Sequence, residues 1–206
     1  MPSVEPFHNG FLHKPDAPSG DGVVLTHGAG GDCKGRLLVA VSDALCDAGF
    51  LVLRFDLPFR LARRAPHPSR AGQDREALRE VATTIRQLAG GRVVLGGHSY
   101  GGRQSSMLAA EDPTVADILL LFSYPLHPPR TPDRLRTEHL PKISTPTLFV
   151  HGTKDPFGSI EEMQAAIKLL RGPVALSEVP AAAHDLAGGK FDITNLVLKP
   201  LYNLLT

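Results

Sequence analysis

Six short apolar runs, alternating with helix-patterned segments, limit this chain to very few folds. Residues 22–26, 50–55, 93–96, 118–122, 147–151 and 174–179 are mostly apolar, and 93–96 is apolar on both faces, as strands in a covered sheet are. Leu37, Leu38, Val41, Ala44, Leu45 and Ala48 recur at helical spacing within 34–48, and Gly49 stands where a C-terminal cap belongs. Ala77, Leu78, Val81, Ile85 and Leu88 do the same within 73–89. Helices are also predicted over 103–110, over 159–171 behind the capping pair Ser159 and Glu162, and over 192–205 with a kink at Pro200. Residues 59–72 and 123–146 read as loops, and 1–21 as an N-terminal arm or edge strand. Strands alternating with helices, without repeats, predict an α/β fold. Its sheet is mostly parallel, of about six or seven strands, with helices on both faces.

At 206 residues the chain is expected to form a single domain with a sizeable core. A formal charge of +1 gives no field that would attract nucleic acid or a membrane surface. Cys33 and Cys46 are too few for a disulfide framework and suit a reducing compartment. The first residues lack a basic and apolar leader pattern, and no run reaches membrane-spanning length. The expected setting is the cytoplasm.

The segment 92–102 carries the chemistry. Behind the apolar strand comes Gly97-His98-Ser99-Tyr100-Gly101, a G-x-S-x-G sequence, and then a helix. Strand, sharp turn and helix are the setting in which this motif lifts a serine hydroxyl clear of a sheet. Glycine is needed at 97 and 101 because a Cβ there would collide with the neighbouring strand or helix. The same pentapeptide also fits a plain glycine-rich turn with an N-capping serine. A base, an acid and an oxyanion site decide between the two.

Parallel sheets place their sites at the carboxyl ends of the strands. Past the fifth run lies His151-Gly-Thr-Lys-Asp155, with one carboxylate; past the sixth lies Pro180-Ala-Ala-Ala-His184, with one imidazole. Serine is a poor nucleophile until a neutral imidazole takes its proton, so His184 is the candidate base and Asp155 the group that orients it. Taken singly, Asp155-Pro156 is also a good turn and His184-Asp185 a plausible surface pair. The loop His27-Gly28-Ala29-Gly30-Gly31 lets backbone N–H groups approach a ligand closely. Ala29, with Gly30 as the second choice, and the N–H of Tyr100 are the candidate oxyanion donors. Gly28-x-Gly30 also opens a dinucleotide fingerprint, but its third glycine falls on Cys33. No P-loop is present, since Lys34 is followed by Gly35. The nine histidines show no paired metal-ligand spacing, and no cofactor is implied. His98 and Cys33 read as structural residues. Arginines at 60, 63, 64 and 70, and Arg130, Arg134, Arg136 and Lys142, could attract an anion but also suit solvated loops.

On these residues the chain resembles the α/β-hydrolase superfamily over about residues 22–205, through 27–32, 97–101, 151–155 and His184. More narrowly it is similar to the small lid-less branch, which includes dienelactone-hydrolase-like proteins and the testis-expressed and KANSL-type hydrolase-like proteins. The second group is suggested by Leu53-Arg-Phe-Asp-Leu-Pro-Phe59 and Asp155-Pro-Phe-Gly158. The resemblance implies Ser99 as nucleophile, Asp155 as acid and His184 as base. It also implies a serine hydrolase of small carboxylic esters or thioesters. Dienelactone hydrolases use a cysteine nucleophile, so Ser99 argues against that particular activity. Residues 123–146 are too few for a helical cap domain, which implies an open pocket. The alternative is a non-catalytic interaction protein on the same fold. A hydrolase requires the Ser99 hydroxyl within hydrogen-bonding reach of His184 beside an open cleft; a binding module would show that cleft filled.

Overall fold

In the computed structural model, which describes residues 1–128, 131–187 and 191–206, the apolar runs line up in one eight-stranded sheet. Its strands are β1 (Ser3–Phe7), β2 (Gly10–Lys14), β3 (Gly22–Thr26), β4 (Leu51–Phe55), β5 (Val93–His98), β6 (Ile118–Phe122), β7 (Thr147–Gly152) and β8 (Val174–Val179). The spatial order is β1-β2-β4-β3-β5-β6-β7-β8. From β4 to β8 neighbouring strands run parallel, while β1 and β2 form an antiparallel hairpin against β4. The sheet therefore has more strands than the six or seven expected, because segment 1–21 supplies two. The hairpin was hard to read from its residues. Along β2 only Leu12 is a buried apolar side chain, and its neighbour His13 is buried with Nε2 accepting from Arg54 Nε at 2.8 Å.

Alternate residues of each strand serve opposite faces. Val23, Leu25, Val52, Val94, Leu120 and Val150 pack under α1 (Arg36–Asp47), through Leu38, Val41 and Leu45, and under Val197 and Leu201 near the C-terminus. Val24, Leu53, Leu95, Leu119, Leu121 and Phe149 pack on the other face. Four helices follow along the chain: α2 (Pro58–Leu61), α3 (Ala71–Ala89), α4 (Tyr100–Glu111) and α5 (Ile160–Ile167). Of these, α3 offers Leu78, Val81 and Ile85 to that second core and α5 offers Met163 and Ala166. Each fully buried side chain of this size contributes about 2 kcal/mol.

Several boundaries differ from the sequence pattern for local reasons. The 59–72 loop contains α2, with Pro58 in its first turn, and a 3₁₀ turn at Pro68–Arg70. Leu88 is 54% exposed, since Leu78, Val81, Ala82 and Ile85 carry the buried face of α3. Ser159 and Glu162 cap α5 reciprocally, but the helix ends at Ile167, and Arg171 N–H donates instead to the Ile143 carbonyl at 2.9 Å. The last helix, α6 (Lys199–Leu205), is preceded by a π-helical turn, Thr194–Leu198. Pro200 thus sits in the first turn of α6, where its missing N–H costs nothing, and the irregularity precedes it.

Candidate active site

The junction of β5 and α4 places Ser99 alone at a sharp corner, with φ 51° and ψ −113°. A non-glycine residue there stores about 1–3 kcal/mol of strain and persists only where its surroundings fix it. They do: Ser99 N–H donates to the Phe122 carbonyl at 2.8 Å, and Gly101 N–H to the His27 carbonyl at 3.1 Å. A Cβ on Gly97 would lie 2.2 Å from the Thr26 oxygen, and one on Gly101 would lie 2.6 Å from Thr26 Cγ2. The helix begins at Tyr100, three residues earlier than the sequence pattern placed it.

Three strand ends then converge. His184 Nε2 lies 2.8 Å from Ser99 Oγ, within reach to accept a hydrogen bond from its hydroxyl. His184 Nδ1–H donates to Asp155, at 2.8 Å to Oδ2 and 3.0 Å to Oδ1. The Asp155 carboxylate is fully buried, and Phe157 N–H satisfies it further at 2.9 Å. The loops bearing His184 and Asp155 are tied together by Lys154 N–H to the Ala182 carbonyl and Thr153 N–H to the Val179 carbonyl. The Phe157 ring lies against the imidazole of His184, centroids 4.1 Å apart. His98 braces it from the other side, its Nε2–H donating to the His184 carbonyl at 2.7 Å.

The loop after β3 is held just as firmly. His27 Nδ1–H donates to the Gly28 carbonyl at 2.8 Å, and its Nε2 accepts from Leu57 N–H at 3.2 Å. Asp56 accepts from Cys33 N–H at 2.6 Å, and Arg54 donates to the Cys33 carbonyl at 2.7 Å. A Cβ on Gly28 would touch both Ser99 and His98, so this loop lies directly on the corner. Among the described residues, the N–H groups of Ala29, Gly30 and Tyr100 make no hydrogen bond to the protein. The Tyr100 hydroxyl is committed elsewhere, donating at 2.7 Å to the buried Asp74, which also accepts from Phe59 N–H. Asp74, Phe157 and the bracing role of His27 were missed at the sequence level. Nothing in their local pattern marks them, since Tyr100 for Asp74, His184 for the Phe157 ring and Leu57 for His27 Nε2 are distant along the chain.

Ser99, His184, Ala29, Gly30 and Tyr100 share a cavity of about 890 Å³. Of the arginines considered as anion attractors, Arg136 lines it, whereas Arg60 pairs with Asp32, and Arg63, Arg64, Arg134 and Lys142 are exposed. Arg130 lies outside the described residues. Burial pushes the Cys33 thiol up to about 11, with Asp56 adding to the shift, so it is protonated at neutral pH. No cluster of three or more metal-ligating side chains occurs among the described residues.

Burial lowers the proton affinity of His27, His98 and His151, and lowers that of His139 to about 4. Each is neutral in the folded protein at pH 7, while the unfolded chain takes up a proton near 6.5. The unfolded state therefore binds more protons below that pH, and the stability these groups contribute is complete above about 6.5 and falls as pH drops toward 4. Urea unfolding at pH 7, 6 and 5 is expected to show a falling unfolding free energy, to which His139 alone contributes roughly 1 kcal/mol per pH unit below about 6.5. An unchanged midpoint between pH 7 and 5 would contradict the buried neutral assignment.

The chain matches the alpha/beta hydrolase domain family over residues 20–194 and belongs to it. Solved structures share its architecture over nearly full length. A dienelactone hydrolase from Anabaena variabilis is 21% identical with a TM-score of 0.75, the alignment covering 99% of this chain and 96% of that one. Est1E from Butyrivibrio proteoclasticus, with ferulic acid bound, is 19% identical with a TM-score of 0.72, over 96% and 93%. A Xanthomonas campestris serine hydrolase described as having no lid is 17% identical with a TM-score of 0.65, over 99% and 91%. No helix among the described residues is long and apolar enough to cross a membrane.

Proposed function

We propose that this chain is a cytoplasmic serine hydrolase, acting as one domain, that cleaves small carboxylic esters or thioesters through an acyl-Ser99 intermediate. The observation that carries the reading is the hydrogen-bonded series Ser99–His184–Asp155, open at its serine end to the cavity. In this mechanism Ser99 Oγ attacks the carbonyl carbon while its proton passes to His184 Nε2. Asp155 holds the imidazole with Nδ1–H toward the carboxylate and stabilises the imidazolium. The N–H groups of Tyr100 and Ala29, with Gly30 as the alternative to Ala29, take the negative charge that develops on the carbonyl oxygen. His184 then gives its proton to the leaving alcohol or thiol. Water, deprotonated in turn by His184, releases the acid and restores Ser99. Free, buried Cys33 and Cys46 support the reducing setting. The ferulic acid bound to Est1E supports a small acid product.

Turnover of 4-nitrophenyl acetate and butyrate, and of acetyl and butyryl thioesters, tests the reading. The expected result is hydrolysis with a rapid initial release of the leaving group, matching one acyl group per chain. Release no faster than that from His184→Ala protein would contradict it.

A further inference from the structure

Among the described residues, the cavity beside Ser99 is lined by Arg75, Arg103 and Arg136 and by no carboxylate. Arg75 is neutralised, donating to Glu111 and to Gln104 Oε1. The other two are not. Arg103 makes no ion pair or side-chain hydrogen bond among the described residues, and its Nε is buried without a partner. Arg136 spends one nitrogen on the Pro125 carbonyl at 3.3 Å and pairs with no acid among the described residues. The fold fixes both positions. Arg103 lies one turn along α4 from Ser99, its N–H donating to the Ser99 carbonyl at 2.9 Å. Arg136 is anchored by its N–H to the Leu126 carbonyl at 2.8 Å, in the connection that follows β6. They are near enough that Arg103 lowers the proton affinity of Arg136, adding to the larger effect of burial.

Two half-buried like charges with no ion pair among the described residues destabilise a fold, so their place in the cavity lining calls for a ligand that supplies a negative charge. We infer that the cavity takes substrates carrying a carboxylate about one helical turn from the scissile carbonyl, held by Arg103 and Arg136. Each guanidinium presents a planar fork that matches a carboxylate in shape and charge. The nearby N–H groups that could cradle a rounder anion belong to the 28–30 loop and Tyr100, at the Ser99 end. The ester part of the inference rests on the hydrolase reading; the anion part rests on the cavity alone.

The test uses Ser99→Ala protein, so that binding is read without turnover. Monomethyl succinate, adipate and suberate are titrated against their dimethyl esters by calorimetry. At least one half-ester is expected to bind about tenfold or more tightly than its diester. That preference shrinks about tenfold with Arg103→Gln or Arg136→Gln, and partly returns with Arg103→Lys. On the unsubstituted arginines, raising sodium chloride from about 0.05 to 0.5 M weakens the half-ester and not the diester, which keeps the test independent of how the variants fold. No half-ester preferred over its diester, or a preference untouched by salt and by both Gln variants, overturns the inference. Covalent labelling of wild-type Ser99 by a fluorophosphonate reports separately on the hydrolase reading. Labelling without half-ester preference leaves that reading in place and removes only the carboxylate site. Half-ester preference without labelling does the reverse.

Discussion

Ser99→Ala protein is expected to hydrolyse 4-nitrophenyl butyrate at least about 10³- to 10⁴-fold more slowly than wild type, with the fold intact. The size of the effect follows from the arrangement. Ser99 Oγ is the atom that His184 Nε2 meets at 2.8 Å, and among the described residues the other hydroxyl of the cavity lining, on Tyr100, is committed to Asp74. Cys33 is buried and protonated, and it is not among the residues that line the cavity. His184→Ala should fall nearly as far and the two losses should not add, because nucleophile and base act as one unit. Residual activity would come from the Ala29 and Tyr100 N–H groups and from binding alone. Steady-state kinetics beside circular dichroism check both halves of the expectation. A loss of less than about tenfold would place the chemistry elsewhere.

Gly96→Ala is expected to cost more than about 3 kcal/mol, or to prevent accumulation of folded protein. A Cβ at this position would lie 1.8 Å from the Leu120 carbonyl oxygen and 2.7 Å from its carbon. Both atoms are backbone, so no side chain can rotate away. Nor can β5 and β6 part, since Gly96 pairs with Leu120 in the parallel ladder and Ser99 N–H is bonded to Phe122 two residues further on. The same close approach lets the corner at Ser99 sit at the top of the sheet, so stability and site share one cause. Gly72→Ala is the control. Nothing lies within 4 Å of its added Cβ, and in the first turn of α3 alanine should be neutral or slightly stabilising. Urea unfolding of the two variants, at equal concentration, checks the contrast. A Gly96→Ala protein within about 1 kcal/mol of wild type would contradict it.

The sheet from Gly22 to Val179 was legible because its strands are short, mostly apolar runs and its helices are apolar on one face. The N-terminal hairpin was not, because an edge needs few apolar residues and His13 is buried there against Arg54. At the site, the sequence indicated which strand ends carry a hydroxyl, a carboxylate and an imidazole. It held no distances, and the contact between His184 and Ser99 spans 85 positions. Arg103 looked like one more polar residue on a helix, and Arg136 like part of a proline-rich loop. Only folding brings the two into one cavity. Asp74 was invisible for a related reason. A buried carboxylate on a helix resembles a surface residue until its partners, Tyr100 and Phe59, are known.

The central claim is that His184 and Asp155 have made Ser99 a nucleophile. It is tested most directly by reacting the wild-type protein with a fluorophosphonate and reading the product by intact mass and peptide mapping. The expected product is one phosphonyl group per chain, on the peptide containing Ser99, and none on Ser99→Ala or His184→Ala protein. Folded wild type that stays unmodified under conditions that saturate a known serine hydrolase, or a label found on another residue, would contradict it.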